Sequence, residues 1–176
     1  MKEIELKFLE INITDWRRRL KQLGAKLLIK RQLVTDIFFV PVGERKVKFS
    51  TFRLRRIGQN RFLTMKFKVQ NKKFAVRDEF EIGVTDFETT KTIVLNAGFK
   101  ILYQREKYRE EFQLGHFKVE IDEYPGVPPY LEVEVHQAKE FAPALKLLGL
   151  NIKDAVTISA TEVLKKYKQN KTKLIF

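Results

Sequence analysis

The chain has 176 residues, a length that suits one domain, and it contains no cysteine. The lack of cysteine excludes a disulfide framework, a thiolate metal site and a cysteine nucleophile. The formal net charge is +13, which favours anionic partners such as nucleic acid, anionic lipid or polyphosphate without choosing between them.

Alternation of charged and apolar residues predicts most of the strands, because successive side chains of a strand point to opposite faces. In chain order the alternating segments are 3–8, 51–55, 63–69, 77–82, 118–122 and 131–135. A β-branched run over 27–40 and an extended segment over 99–114, with a bend expected around Gln104, add two strands. No linker or repeat interrupts the pattern, so we predict a single domain over 1–176.

Turn and capping residues separate these strands. Hairpin turns are predicted at Gly58-Gln59-Asn60, Asn71-Lys72-Lys73 and Leu114-Gly115-His116, and a stiff loop at 125–129. Helices are predicted from Thr14 or Asp15 to Gly24, from Asp86 to Asn96, over 140–148, and from the Ser159/Glu162 capping box through Tyr167. The fold class expected is α+β, with antiparallel strands and peripheral helices.

The apolar runs of the sequence are short, and its lysines cluster near the C-terminus. We expect no signal peptide and no membrane span, because no apolar run approaches the roughly 18 residues that a span needs. A cytoplasmic location is therefore expected. The lysines near the C-terminus are expected to be a solvated helix end: Lys165, Lys166, Lys168, Lys171 and Lys173.

When the residues of each strand are sorted by odd or even position, one face is almost entirely charged. It carries Glu3, Glu5, Lys7, Arg53, Arg55, Lys66, Lys68, Arg77, Glu79, Glu81, Asp122, Glu132 and Glu134, with Lys107 and Arg109 on one face of their strand. A wet face of an antiparallel sheet is the ordinary interpretation. However, like charges recur two residues apart, and such neighbours repel unless a counter-ion or ligand lies between them. Helices that cover the apolar face would turn the charged face into the lumen of a barrel.

Such a lumen suits a metal–polyphosphate. Paired carboxylates offer oxygen ligands to a hard cation such as Mg²⁺ or Mn²⁺. Convergent arginine and lysine side chains can hold phosphoryl oxygens.

The order of these motifs also resembles a known family. Glu3-x-Glu5-x-Lys7 resembles the ExExK signature of the CYTH superfamily, the triphosphate tunnel metalloenzymes. The similarity continues in order through Arg53 and Arg55, Leu63-Thr64-Met65-Lys66, Arg77-x-Glu79-x-Glu81, Lys107-x-Arg109, Asp122 and Leu131-Glu132-Val133-Glu134. One departure is Ala160 after Ser159, where the family usually has tyrosine.

The resemblance implies an eight-stranded antiparallel β-barrel, or tunnel, and assigns roles to its residues. Catalytic roles fall to Glu3, Glu5 and Lys7. Triphosphate binding falls to Lys7, Arg53, Arg55, Lys66, Lys68, Arg77, Lys107 and Arg109. Binding of Mg²⁺ or Mn²⁺ falls to Glu3, Glu5, Asp122, Glu132 and Glu134, with Glu79 and Glu81 as further candidates.

Three functions remain open at this point. The first is a metal-dependent phosphohydrolase acting on inorganic, nucleoside or thiamine triphosphate. The second is a class IV adenylyl cyclase that converts ATP to cyclic AMP and pyrophosphate. The third is a non-catalytic polyphosphate- or RNA-binding module, which we rank lowest because the acidic pairs would repel a nucleic-acid backbone. The expected partner is a small-molecule triphosphate, with no membrane or nucleic acid, and the protein is expected to be a monomer or a homodimer.

Overall fold

The computed structural model describes residues 2–43, 46–69 and 75–176, and the side chains of 4–43, 46–69 and 77–176. The strands are β1 (Lys2–Phe8), β2 (Lys26–Pro41), β3 (Thr51–Ile57), β4 (Asn60–Val69), β5 (Ala75–Gly83), β6 (Phe99–Leu114), β7 (Phe117–Glu123), β8 (Tyr130–Val135) and β9 (Lys173–Leu174). The α-helices are α1 (Ile13–Gln22), α2 (Phe87–Asn96), α3 (Phe141–Leu148) and α4 (Ala160–Lys166). The turn predicted at Asn71-Lys72-Lys73 lies outside the described residues.

Eight of the strands form a closed antiparallel ring, as predicted. Their order is β2-β3-β4-β5-β1-β8-β7-β6. The long pairing of β2 with β6, from Lys26 opposite Gln113 to Pro41 opposite Phe99, joins the two ends. Closure leaves the ring no unpaired edge, so these strands satisfy one another's backbone groups.

Helices cover most of the apolar outer face of the ring. One cluster packs Leu20 of α1 and Leu148 of α3 against Val133 of β8, and all three are completely buried. A second packs Phe87 and Val94 of α2 against β2 and β3. Burying a side chain of this size contributes about 1.5–3 kcal/mol, so the outer face stabilises the fold and leaves the charged face for the interior.

Coverage of the outer face is incomplete at β5. Phe80 and Ile82, which we expected to be covered, are 65% and 64% exposed. The packing partners of α2 lie instead on β2, β3 and β4.

Two local predictions are wrong, each for a physical reason. The first helix is capped by Asn12, whose Oδ1 accepts a hydrogen bond from the Asp15 backbone N at 3.1 Å, and not by Thr14 or Asp15. The irregularity in β6 lies at Leu102, because the β2 register passes from Tyr103 directly to Ile101. Gln104 itself pairs with Lys173 of β9, and its backbone N donates to Thr172 O at 2.8 Å.

The other helix signals are confirmed. The Asp86 side chain caps α2, and Ser159 with Glu162 forms the capping box of α4. Gly149 ends α3 at φ 60°, a left-handed conformation that glycine adopts without strain. None of the helices that the structure describes is long and apolar enough to cross a bilayer.

Candidate functional site

The charged faces of the strands meet inside the ring, around a cavity of about 640 Å³. Its size is that of an ordinary ligand pocket. The basic side chains that line it are Lys7, Arg53, Arg55, Lys66, Lys68, Arg77, Lys107, Arg109 and Lys165, and the acidic ones are Glu5, Asp36, Glu132 and Glu162. Among the described side chains, nine basic groups therefore face four acidic groups, and the excess positive charge favours a polyanion.

A buried cluster of three carboxylates adjoins this cavity. Glu120, Asp122 and Glu132 each place an oxygen within 4.8 Å of the others. The β7–β8 register sets Glu120 opposite Glu132, and Asp122 follows two residues later on the same face. A donor set of carboxylate oxygens alone suits Mg²⁺ or Mn²⁺ better than a softer metal.

Arg109 contacts all three members of the cluster. It donates to both oxygens of Asp122 at 2.7 Å, and it lies 2.5 Å from Glu120 and 3.2 Å from Glu132. Lys107 Nζ adds a hydrogen bond to Asp122 at 2.6 Å. Burial alone would raise the pKa of Asp122, but Arg109 and Lys107 outweigh it and hold that pKa below its usual range.

The pKa values of the other two carboxyl groups of the cluster shift in opposite directions. Burial, together with the charges of Glu132 and Asp122, raises the pKa of Glu120 well above its ordinary value. Burial would also raise the pKa of Glu132, but Lys7 and Arg109 lower it well below that value. Among these three carboxyl groups Glu120 is therefore the one whose charged form is least favoured, and a divalent cation at the cluster would favour that charged form.

Lys7 connects the cluster to the first strand. Its Nζ lies 2.6 Å from Glu5 Oε1 and 3.1 Å from Glu132 Oε1, and the residue is only 1% exposed. Burial by itself would lower the pKa of Lys7, but Glu132 and Glu5 outweigh burial and hold that pKa above its usual range. Arg77 Nη1 also donates to Glu5 at 2.8 Å, so Glu5 accepts from a base on each side.

A second buried carboxylate, Asp36, was not among the predicted site residues. Arg55 binds it with two hydrogen bonds, of 2.8 and 2.9 Å, and Arg53 Nε lies 3.7 Å away. Burial would raise the pKa of Asp36, but the two arginines hold it well below its usual range. Arg55 therefore lines the cavity and is also the counter-ion of the buried Asp36.

The wall formed by β3, β4 and β5 also alternates in charge. Lys66 Nζ lies 3.1 Å from Glu79, and Thr64 donates to Glu81 at 2.8 Å. Arg53 Nη2 lies 3.9 Å from each of these glutamates. The contacts set Glu79 and Glu81 beside basic side chains, and the described carboxylate cluster does not include them.

A C-terminal segment lies across one mouth of the cavity. Val156 pairs with Lys7 through two backbone hydrogen bonds, of 3.0 and 2.9 Å, and the chain then continues into α4. Val163 and Leu164 of α4 pack into a core around Tyr130. Lys165 is exposed in the last turn of α4, as expected, and its side chain also lines the cavity. Lys173 differs from the expectation of a helix end, because it pairs with β6 in the sheet.

The model of the CYTH domain family matches residues 1–157, which covers the eight strands of the ring. The chain belongs to the CYTH family. A candidate adenylate cyclase of Methanocaldococcus jannaschii, MJ0240, is 28% identical over 179 residues, spanning 99% of this chain and 94% of that protein.

Solved structures show the same fold. The PH1012 protein of Pyrococcus horikoshii OT3 superposes with a TM-score of 0.76 at 24% identity, over 92% of this chain and 98% of that one. A candidate adenylyl cyclase from Hippeastrum, HpAC1, reported to have a dominant triphosphatase activity, gives a TM-score of 0.66 at 17% identity, over 93% and 95% of the two chains.

In this CYTH chain most of the predicted site residues meet at the cavity. The side chains found there are Glu5, Lys7, Arg53, Arg55, Lys66, Lys68, Arg77, Lys107, Arg109 and Glu132, with Asp122 completely buried against Lys107 and Arg109. Glu134 is half-buried, opposite Glu5 and Lys118 in the register, and does not line the cavity. Glu3 pairs with Arg77 through the backbone, and its side chain lies outside the described ones.

Sequence reasoning missed three charged residues of this region. Glu120 shares the parity of Asp122, and Arg105 shares the parity of Lys107 and Arg109, so the same sorting could have found both. Asp36 carried a weaker signal, a single acid inside a β-branched strand.

Proposed function

We propose that this CYTH protein is a divalent-metal-dependent phosphohydrolase that acts on a triphosphate held in the ring. The observation that carries the proposal is the cavity itself, where nine basic groups outnumber four acidic ones among the described side chains and a buried oxygen-only cluster adjoins them. In a triphosphate with a bound cation, the negative phosphates match the basic side chains and the cation matches the carboxylate cluster. Neither a bare cation nor an apolar ligand would use both parts of this surface.

The carboxylate cluster supplies the metal ligands in this proposal. Glu120, Asp122 and Glu132 would hold the cation, with Glu5 within reach of the same region through Lys7. A divalent cation bound there would contribute Lewis-acid polarisation of a phosphoryl oxygen.

The basic wall supplies the phosphate ligands. Arg53, Arg55 and Lys66 face the cavity from β3 and β4, and Lys107 and Arg109 face it from β6. Their charges would hold the three phosphates in line and stabilise the negative charge that spreads over the transferred group in the transition state. Burial strengthens this effect, because water does not screen charges inside the ring as it does at the surface.

A second function, adenylyl cyclase of class IV, is favoured by one specific feature. The aromatic rings of Phe38 and Tyr103, which are opposite one another in the β2–β6 register, both line the cavity. They could stack against a nucleobase while the same basic side chains hold its triphosphate. The similarity to a candidate adenylate cyclase of Methanocaldococcus jannaschii supports this alternative.

Product analysis separates the two functions. The protein is incubated with inorganic triphosphate, ATP and thiamine triphosphate, each with Mg²⁺ and with Mn²⁺, and phosphate, pyrophosphate and cyclic AMP are measured. We expect phosphate release, and cyclic AMP with pyrophosphate from ATP would favour the cyclase instead. Lys66→Ala, purified in parallel, controls for a contaminating phosphatase. Tight binding of triphosphate without any turnover would indicate a non-catalytic polyphosphate-binding module.

A further inference from the structure

Arg105 is a buried cation that forms no ion pair within 4.0 Å among the described residues. It is 2% exposed, and its Nη1 donates a 2.8 Å hydrogen bond to the hydroxyl of Thr161. Its Nε and Nη2 are buried and have no hydrogen-bond partner among the described residues. Lys107 and Arg109, which follow on the same face of β6, both contact Asp122, so Arg105 differs from its neighbours in having no such anion.

The guanidinium of Arg105 lies directly behind the cavity wall. It is 4.0 Å from the ring centroid of Tyr103 and 5.5 Å from that of Phe38. Both rings line the cavity, and so does Thr161.

Burial lowers the pKa of Arg105, but an arginine remains charged in a protein, so this position keeps a positive charge. The carboxylate opposite Arg105 in the β2–β6 register is Asp36, which attracts it but already binds Arg55 with two hydrogen bonds. A buried charge that is only partly compensated is costly, and a polyanion in the adjacent cavity would offset that cost.

The single hydrogen bond of Arg105 reaches the closing helix. Thr161 lies in the first turn of α4, and Lys165 follows four residues later on the same helical face. Both side chains line the cavity. The orientation of Lys165 over the cavity therefore depends on how firmly Thr161 is held.

We propose that Arg105 is a positioning residue for the triphosphate site, which holds α4 and Lys165 across the cavity when a polyanion fills it. The inference rests on the proposed function only in that the cavity binds a polyphosphate. It requires no turnover. In the free protein Arg105 shares Asp36 with Arg55 and Arg53, and with a polyanion bound the same charge holds α4 against the cavity through Thr161.

The test uses binding and not hydrolysis. Sodium tripolyphosphate in excess chelator is titrated into wild-type protein and into Arg105→Met, which keeps the length and the apolar contacts of the side chain. Hydrogen–deuterium exchange is measured over 157–167 with and without the same compound. We expect tripolyphosphate to slow exchange in the wild-type segment. In Arg105→Met we expect that protection to disappear and the dissociation constant to rise at least about fivefold, the lower end of a typical coupling between two sites.

The melting temperature of the free protein distinguishes positioning from a purely structural role. Because Arg105→Met removes a buried charge that Asp36 compensates only in part, we expect the free variant to melt no lower than wild type. A purely structural role predicts a lower melting temperature with an unchanged ligand-induced shift, and this result would overturn the inference. Thr161→Val, which keeps the side-chain shape and loses only the hydrogen bond, should reduce protection of 157–167 in the same way, and it carries the test if Arg105→Met does not fold.

Arg31 provides the matched control. Its guanidinium also stacks on a tyrosine, 3.5 Å from the ring centroid of Tyr108, but it is paired with Glu123 at 2.9 Å. Arg31→Met should leave tripolyphosphate binding and the exchange of 157–167 unchanged. Equal effects of the Arg105 and Arg31 substitutions would overturn the inference and leave the proposed function intact. Failure of the wild type to bind tripolyphosphate both in chelator and with Mg²⁺ would overturn both.

Discussion

The ion pair of Arg55 with Asp36 gives the sharpest test of how this ring is held together. Asp36 is 2% exposed and accepts two hydrogen bonds from Arg55. In Arg55→Gln the nearest remaining cation is Arg53, whose Nε lies 3.7 Å from Asp36. The substitution would leave a buried carboxylate with one imperfect counter-ion.

The expected loss of stability is large. Breaking a buried ion pair by removing one partner costs about 3–5 kcal/mol, and the contact with Arg53 places this case near the lower end. For a chain of this length, each kcal/mol corresponds to roughly 2–4 °C in melting temperature, so we expect Arg55→Gln to melt about 6–12 °C lower. Replacing both charges is less costly, because Asp36→Asn/Arg55→Gln leaves no buried charge unpaired.

A double-mutant cycle checks the argument by urea denaturation at neutral pH. We expect a coupling energy of about 2 kcal/mol or more, with the double variant more stable than Arg55→Gln. Strict additivity of the two substitutions would refute the assignment of a buried pair. The folded double variant also separates stability from chemistry, because it should still lose at least about tenfold in kcat/KM for triphosphate if Arg55 binds phosphate.

The same pair predicts the acid limb of the stability curve. The folded-state pKa of Asp36 is depressed, so its contribution is present above the unfolded value, about 3.9, and is lost as pH falls below it. The slope of unfolding free energy against pH below about 4 should therefore be smaller in Asp36→Asn than in wild type.

Four further outcomes follow from the site. Excess chelator should abolish turnover, and Glu5→Gln should do the same in protein that is still folded, so full activity in chelator would contradict metal dependence. Tripolyphosphate should raise the melting temperature, by about 2.7 kcal/mol of stabilisation at 100 times its dissociation constant, and the absence of a shift would count against the cavity as its site. Lys66→Ala should lower kcat/KM at least about tenfold, whereas exposed Lys166→Ala should leave it unchanged at matched ionic strength, and equal losses would indicate a diffuse charge effect. Burial raises the pKa of Tyr124, so its contribution to stability is present below about pH 10 and is lost above it, and Tyr124→Phe should flatten the alkaline fall measured by denaturation between pH 8 and 11.

The interior of the ring was predictable because strand periodicity is strict. In a strand with one apolar face, a shift of one residue would move every charged side chain to that face. Odd or even position in the strand therefore assigns each side chain to a face. Lys7, Arg53 and Lys66 were placed inside in this way, and each lines the cavity. The closed ring followed from the same reasoning, since the helices had apolar stripes that needed a surface to cover.

The partners of those charges were not predictable, because they depend on register between strands that are distant in sequence. The pairing of Lys7 with Glu132 requires β1 beside β8, and that of Arg55 with Asp36 requires a register of β2 and β3 that no tight turn specifies. The role of α4 was missed for a related reason. Its capping box predicted a helix correctly, but a capping box does not say which face of the helix meets the cavity.

Like charges that recur two residues apart on one strand lie, in the folded protein, beside opposite charges of the neighbouring strands. We expected such pairs to repel unless a counter-ion or a ligand lies between them, and the neighbouring strands supply the counter-ions. Lys7 lies between Glu5 and Glu132, and Arg109 contacts Asp122 and Glu120. The carboxylates of the described interior are thus neutralised by bases before any cation binds. A divalent cation must displace these bases, and a polyanion would draw the same bases towards itself. Each ligand therefore removes an obstacle to the other, and because such coupling is reciprocal, metal should tighten the binding of triphosphate by the same factor as triphosphate tightens the binding of metal.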